Sequence, residues 1–431
     1  MLLKLATRSA GLFLFAAIVL AHRLAAAADW PQWLGPHRDG ATTEVVTPWS
    51  EVPQVVWRCE VGNGYSSPVV ADGIVYVHSK TAAKKREAED VLAFDATTGK
   101  AIWSDTYDRE TYRSALGTGP RASPAVVDGK LYTFGITGVL TCYEAKSGKR
   151  LWQTNPYETY KSPLPRFGVC SSPVIAAGRV VVLVGGGGTA VTAYDSLTGE
   201  VAWKGLDEPA GSASPTVWMS GQGADARPTL VVQTTLRILG MKPEDGKVLW
   251  EHPLVFQPAG VSPTPFLIGN SLICTTPDTG TLSLEIPASA EVPPRLAWQK
   301  PQATSYFSTG TVGADSSVLI VTNQQAPVPR ADLCCFDVAN GDELWRKDGL
   351  GYYHFGVIAT GDGKLLLLND GGYLLLAEVT REGFRELAKS KVCRGTLCNP
   401  AFTDGKLYVR DDKELICLQL GRSTAASAPR E

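Results

Sequence analysis

His354, in the run Tyr352-Tyr353-His354-Phe355, is the best placed of five histidines for acid–base chemistry in this 431-residue chain. A lone imidazole needs a partner to orient it, and none stands in a recognisable pattern with this one. Gly185-Gly186-Gly187-Gly188 could cradle a phosphate, yet strand-like segments flank it and no Lys-Ser/Thr or helix follows, so it reads as a turn. Asp411, Asp412 and Glu414 cluster at another turn, where charged residues are ordinary, and the Lys84-Lys85-Arg86 stretch runs into acidic residues and reads as a solvated loop. Neither a Gly-x-Ser-x-Gly elbow nor a His-Glu-x-x-His pair occurs. The residues therefore assign no catalytic group and no metal ligand.

A binding bias is easier to see. Tyr107, Arg109, Tyr112, Arg113, Arg121, Tyr157, Tyr160, Arg166, Phe167, Tyr306, Phe307, Tyr352, Tyr353 and Arg394 all fall in the longer connecting segments. Tyr and Arg combine broad contact area with directional donors and are enriched in binding hot spots. Tyr112, Arg121, Arg166, Tyr306, Tyr353, His354 and Arg394 are the candidate ligand or partner residues. The arginines would meet acidic or carbonyl groups, and the tyrosines would stack or hydrogen bond.

The elements that position these loops are written in a repeat. Trp57, Trp103, Trp152, Trp203, Trp250, Trp298 and Trp345 follow one another at separations of 46, 49, 51, 47, 48 and 47 residues. That period is too long for a helical hairpin and suits a four-stranded propeller blade. Between the tryptophans a second phrase returns, as Ser66-Ser67-Pro68-Val69-Val70-Ala71-Asp72-Gly73 and Ala122-Ser123-Pro124-Ala125-Val126-Val127-Asp128-Gly129, which reads as strands A and B joined by a tight Asp-Gly turn. Further copies begin at Ser171, Ala213, Val261, Phe307, Phe355 and Cys398, so eight blades are expected over residues 54–420. Each blade is a four-stranded antiparallel sheet, with C and D supplied by the stretch that ends at Trp.

The last repeat lacks a fourth strand, and Gln54-Val55-Val56-Trp57-Arg58-Cys59 is an unpaired D strand that can close the ring. Blade seven lacks its Trp, with Leu387 or Phe384 in its place, which leaves a seven-bladed ring as the geometric alternative. Blade five has a long connection through Pro287 to Pro294. A to B and most C to D turns are short, so the D to A and B to C loops make one long-loop face, where function usually sits.

Ten residues before most of the tryptophans stands a small side chain: Ala93, Cys142, Ala193, Gly240 and Cys335. Cys417 takes the equivalent slot in the last repeat, so several of the nine cysteines are packing residues, and Cys393 with Cys398 is the spaced pair to test for a bridge. A net charge of −2 and a pI near 6.3 give no electrostatic case for nucleic acid. Residues 1–28 read as a signal peptide: Lys4 and Arg8 precede an apolar run, and Ala26-Ala27-Ala28 offers a cleavage site. Export to the periplasm or beyond follows, with no membrane span after cleavage, then an extension over 29–53 and, past the propeller, a polar tail over 421–431.

Ala93-Phe94-Asp95-Ala96-Thr97-Thr98-Gly99-Lys100-Ala101-Ile102-Trp103 resembles the tryptophan-docking motif of the quinoprotein (PQQ) dehydrogenase propellers. The same repeat is that of BamB-like outer-membrane assembly propellers, which bind proteins and no quinone. Asp29-Trp30-Pro31-Gln32-Trp33-Leu34-Gly35-Pro36-His37-Arg38-Asp39-Gly40, with Gly119-Pro120-Arg121, is similar to a group of exported bacterial PQQ-like repeat proteins. The resemblance implies an all-β, eight-bladed propeller whose tryptophans dock between blades. In the dehydrogenases it also implies a vicinal Cys pair in a loop over the cofactor, a Trp platform beneath it, and Glu, Asn and Asp around calcium. The vicinal pair here, Cys334-Cys335, lies in a C strand in the repeat register, and no calcium set or Cys-x-x-Cys-His haem site stands out. A non-catalytic scaffold for a protein or envelope component, without a cofactor, is therefore the reading. A PQQ- and calcium-dependent oxidoreductase and a carbohydrate-binding propeller are the alternatives.

Overall fold

The Asp-Gly pairs are two-residue hairpin turns. Asp72, Asp128 and Asp404 have φ of 51°, 50° and 53°, and the glycines after them 73°, 71° and 66°. A left-handed pair of this kind follows the twist of the strands it joins. The computed structural model describes residues 29–420 apart from 83–85, 210, 221–225, 256–259, 261, 290, 314–316 and 325–327. The expected signal, the polar tail and Lys84-Lys85 lie outside the described residues.

Eight four-stranded antiparallel sheets form an eight-bladed propeller. In seven of them the strands run A, B, C, D in chain order, whereas in the eighth Gln54–Glu60 pairs with Glu414–Gln419. The ring is thus closed by a strand from the other end of the propeller chain. Inner strands are covered on both faces by neighbouring blades, which is why Leu365, Leu366, Leu367 and Leu368 run consecutively and are all buried.

The tryptophans sit on the outer strands and face small residues across the sheet. Trp57 pairs with Cys417, Trp103 with Ala93, Trp152 with Cys142, Trp203 with Ala193, Trp250 with Gly240 and Trp345 with Cys335. In blade five the slot residue is Ser283, opposite Trp298. A register shift beside each pair turns the ring toward the next blade. There the indole N–H donates to a turn carbonyl: Trp57 to Ala96 at 3.1 Å, Trp103 to Ala145 at 2.8 Å, Trp203 to Pro243 at 2.8 Å and Trp345 to Thr380 at 2.8 Å. The turn glycine lies flat on the ring. A Cβ on Gly99, Gly148, Gly199, Gly246 or Gly341 would overlap the indole of the preceding blade.

Two seams differ. Trp250 faces blade five, whose C to D connection lacks the short glycine turn, and its buried indole nitrogen has no hydrogen-bond partner. Blade seven carries neither Leu387 nor Phe384 at the Trp position: Ala388 stands there, opposite Leu376, so large and small have exchanged strands. Blade eight supplies no C to D turn to receive a Trp, because its D strand comes from Gln54–Glu60. Trp49 covers the place instead, its indole donating to Ser390 Oγ at 3.0 Å.

The Ser-Pro phrase also shifts in two blades. Strand A of blade five starts at Phe266 after Thr264-Pro265, two residues later than the expected phrase, whose Val261 lies outside the described residues, and blade six uses Thr309 before Thr311–Val312. The loop after Trp152 holds one unexpected helical turn, Pro156–Tyr160, capped by Asn155.

Gly129 and Gly148 share a φ of 71–72°, but a Cβ on Gly129 meets nothing within 4 Å. Gly129→Ala is expected to cost only the left-handed strain of about 1–2 kcal/mol. Gly148→Ala, which must also displace Trp103, is expected to cost a further ~1–3 kcal/mol. Urea midpoints of the two variants measure the difference.

Candidate functional site

Strand A of every blade lines the axis, and the residue before its proline explains the recurrent serine. Held extended by the proline, it donates its N–H to the hydroxyl of the next blade: Ser67 to Ser123 at 3.0 Å, Ser123 to Ser172 and Ser172 to Ser214 at 2.9 Å. Thr264 donates to Thr309 at 2.9 Å, and Asn399 to Ser67 at 3.0 Å. Inside this belt lies the extension. Its Arg38, 2% exposed, is bonded to neutral oxygens, donating to Gln32 Oε1 and to the carbonyls of Pro173 and Pro215. Burial pushes its guanidinium down to about 9.

The long-loop face carries the sequence-predicted residues in three groups. In the first, Tyr112 is buried and its hydroxyl donates to the Arg166 carbonyl at 3.1 Å. Arg121 donates to the carbonyls of Leu116 and Gly117 and stands 5.3 Å over the Tyr65 ring, which the sequence reading omitted. Arg166 stays exposed, 5.3 Å from the Phe167 ring.

In the second group Asn323 bridges two loops, accepting from Tyr306 N at 3.0 Å and donating to the Tyr353 carbonyl at 2.7 Å. Asp370 accepts from the backbone N–H of Tyr352, Tyr353 and His354. Two tyrosine rings, 65% and 47% exposed, are thereby held out from a fixed backbone. His354 itself is buried, with Nδ1 2.7 Å from Ser308 Oγ and Nε2 unpartnered.

In the third group Arg394 is already occupied by Asp411 at 3.4 Å and Glu414 at 3.2 Å. Burial alone would raise Asp411, but backbone N–H donors from Lys413, Glu414 and Arg394, with the Arg394 charge, hold its carboxyl below its usual range. Between the second and third groups lies a cleft of about 310 Å³ lined by Asn63, Tyr65, Asp370, Thr396, Asp411 and Asp412. The seven candidates therefore share one face and do not converge on one point.

Tyr107 and Arg109 are not loop contacts. Both are buried, in a network between blades one and two. Tyr107 OH donates to Glu89 and lies 2.8 Å from His78 Nε2, while Arg109 Nε is 3.2 Å from Glu89 Oε1. Ile136 N donates to the same carboxylate at 3.1 Å. Burial would raise Glu89, but the His78 hydrogen bond and charge, the Tyr107 bond and the Arg109 charge outweigh it and hold the carboxyl low. A charged cluster with 0% side-chain exposure at His78 and Glu89 offers no approach to a ligand.

The residues do not fit the quinone and calcium of the dehydrogenase reading. Among the described residues no group of three or more His, Cys, Asp or Glu is placed to hold a metal ion. Cys334 and Cys335 are buried free thiols inside strand C of blade six, Arg330–Asp337, and burial pushes Cys334 up to about 11. Of the carboxylates facing the cleft, Asp370 and Asp411 accept from backbone donors, and the seven repeat tryptophans sit at blade seams. Cys393 and Cys398 are likewise free and buried. No helix among the described residues is long and apolar enough to cross a membrane.

His354 makes the fold sensitive to acid. Burial lowers its imidazole to about 4, against the pull of Asp370. Between that value and the unfolded value near 6.5 only the unfolded chain takes up the proton, so stability falls as pH drops through this window. His354→Gln is expected to remove up to roughly 3 kcal/mol of the loss between pH 7 and 4, read as a flatter profile of urea midpoint against pH.

A family described as outer membrane protein assembly factor BamB matches residues 50–112 and 87–347. The quinohemoprotein alcohol dehydrogenase of Comamonas testosteroni is 32% identical over 161 residues, covering 35% of this chain and 21% of its own. The BamB of Yersinia pestis is 26% identical over 202 residues, covering 46% of each. The chain thus spans about a fifth of the length of the first dehydrogenases it matches. Among solved structures a europium-containing methanol dehydrogenase superposes with a TM-score of 0.65 at 14% identity, covering 88% of this chain and 89% of that one, a likeness of fold alone. With the repeat, the ring of eight blades and a family match over most of the propeller, the chain belongs to the PQQ-like β-propeller family that includes BamB.

Proposed function

We propose that the protein is an exported, non-catalytic, BamB-like scaffold that binds a protein or another envelope component on its long-loop face. The observation that carries this reading is the pair Tyr352 and Tyr353, 65% and 47% exposed on a backbone that Asp370 already holds. A rigid, exposed aromatic pair costs little ordering entropy when a partner covers it. Arg166, exposed beside Phe167, extends the same face. Arg121 is engaged within its own loop, Tyr112 ties that loop to the one carrying Arg166, and exposed Arg394 is paired with Asp411 and Glu414.

A pull-down from an envelope extract tests this. The folded Arg166→Ala/Tyr353→Ala double variant is expected to recover its partner with at least about tenfold weaker affinity. Unchanged recovery would remove this face from consideration. The dehydrogenase relatives favour a second reading, PQQ-dependent alcohol oxidation. Adding PQQ and calcium to the purified protein and following dye reduction with alcohols separates the two: a saturable signal would replace the scaffold reading.

A further inference from the structure

Residues 29–44 meet all eight blades around the axis, in blade order except that Trp33 reaches blade five before Arg38 meets blades three and four. At blade one Val70 N donates to the Trp30 carbonyl at 2.8 Å and Asp72 N to Asp29 Oδ2 at 3.1 Å. At blade two Val126 N donates to the Pro31 carbonyl at 2.8 Å. Arg38 then spans blades three and four through the carbonyls of Pro173 and Pro215, and Trp33 reaches blade five, donating to Thr264 Oγ1 at 2.9 Å. Thr311 Oγ1 of blade six donates to the Asp39 carbonyl at 2.7 Å, and Ala359 N of blade seven to that of Gly40 at 2.8 Å. Glu44 finishes the circuit by accepting from Asp404 N and Gly405 N of blade eight, at 2.8 and 2.7 Å.

We propose that this segment is a built-in axial clasp, tying the inner strand of every blade and stopping the channel from the compact-turn side. Its shape is adapted to that position. Leu34 and Arg38 hold left-handed φ of 59° and 58°, and Gly40 at 68° leaves its carbonyl free for blade seven. Such backbone persists where the surroundings over-determine it. Both ends meet A to B turns, at Asp72 and at Asp404-Gly405, while the Arg38 tip reaches the opposite ends of the inner strands. The long-loop face stays uncovered, and a ligand seeking the axis must displace the segment. The outer strand Gln54–Glu60 closes the same ring from outside, so the polypeptide before blade one fastens the propeller twice.

Amide hydrogen exchange on the full chain tests the clasp as a unit. Arg38→Ala is expected to raise exchange about tenfold or more at Val70, Val126 and Ala359, none of which touches Arg38. Glu44→Ala, at the far end of the segment, is expected to raise it at Val70 and Val126, which the opposite end of the segment ties. Should Arg38→Ala fail to fold, Glu44→Ala, whose carboxylate meets only a turn, decides alone. Faster exchange confined to the immediate partners of each altered residue, Asp404 and Gly405 in the second case, would overturn the proposal.

Discussion

Eight sheets that share no strand with one another become one molecule through the seam between an outer tryptophan and the turn of the next blade. The seam asks for several things at once: a small residue across the strand, a bulge that swings the indole outward, a left-handed glycine beneath the ring, and a carbonyl for the ring N–H. Burying an aromatic surface of this size is worth about 4–6 kcal/mol at most. That is comparable to a domain's whole net stability. The repeated tryptophan is therefore a major contributor to holding the ring together, and it says nothing by itself about catalysis.

The same logic explains where the repeat lapses. A tryptophan is useful only if the following blade presents a turn for it, and the closing blade has none because its outer strand arrives from the other end of the propeller chain. Blade seven accordingly places Ala388 opposite Leu376, conserving volume while giving up the outward ring, and Trp49 of the extension fills the space. The lapse at blade seven and the closure by Gln54–Glu60 are one feature seen from two sides. A long connection in blade five removes the receiving turn differently, and there Trp250 keeps its ring but loses its hydrogen bond.

The blade count and the closing strand were legible in sequence because they depend on local signals: the tryptophan period, the Asp-Gly turns and a strand left without a partner. Chain position alone misplaced Tyr107 and Arg109, next to a long loop but folded inward onto Glu89. Nothing local marks this, since His78 and Glu89 come from different strands and Ile136 from the next blade. One hint was available: Glu89 and His78 stand within strands that are otherwise rich in apolar residues, and a carboxylate buried there needs partners. The Ser-Pro phrase was read as a strand opening, whereas its serine is a bond between blades. A hydroxyl that accepts from the neighbouring strand's N–H cannot be recognised until the ring is closed.

The two closures also decide which surfaces are left for function. An axis lined by short inner strands and crossed by Arg38 holds its charge on carbonyl oxygens, a costly arrangement offset by the hydrogen bonds it makes there. The compact-turn side is taken up at its centre by the entry and exit of the extension, and the seams are filled by tryptophan. What remains rigid, exposed and chemically varied is the rim between blades six and one. There Asp370, Asn323 and Asp411 spend their polar atoms on backbone, leaving tyrosine faces and a polar cleft toward solvent. For the scaffold proposed above, this rim offers exposed aromatic contact area beside polar groups whose backbone positions are already set.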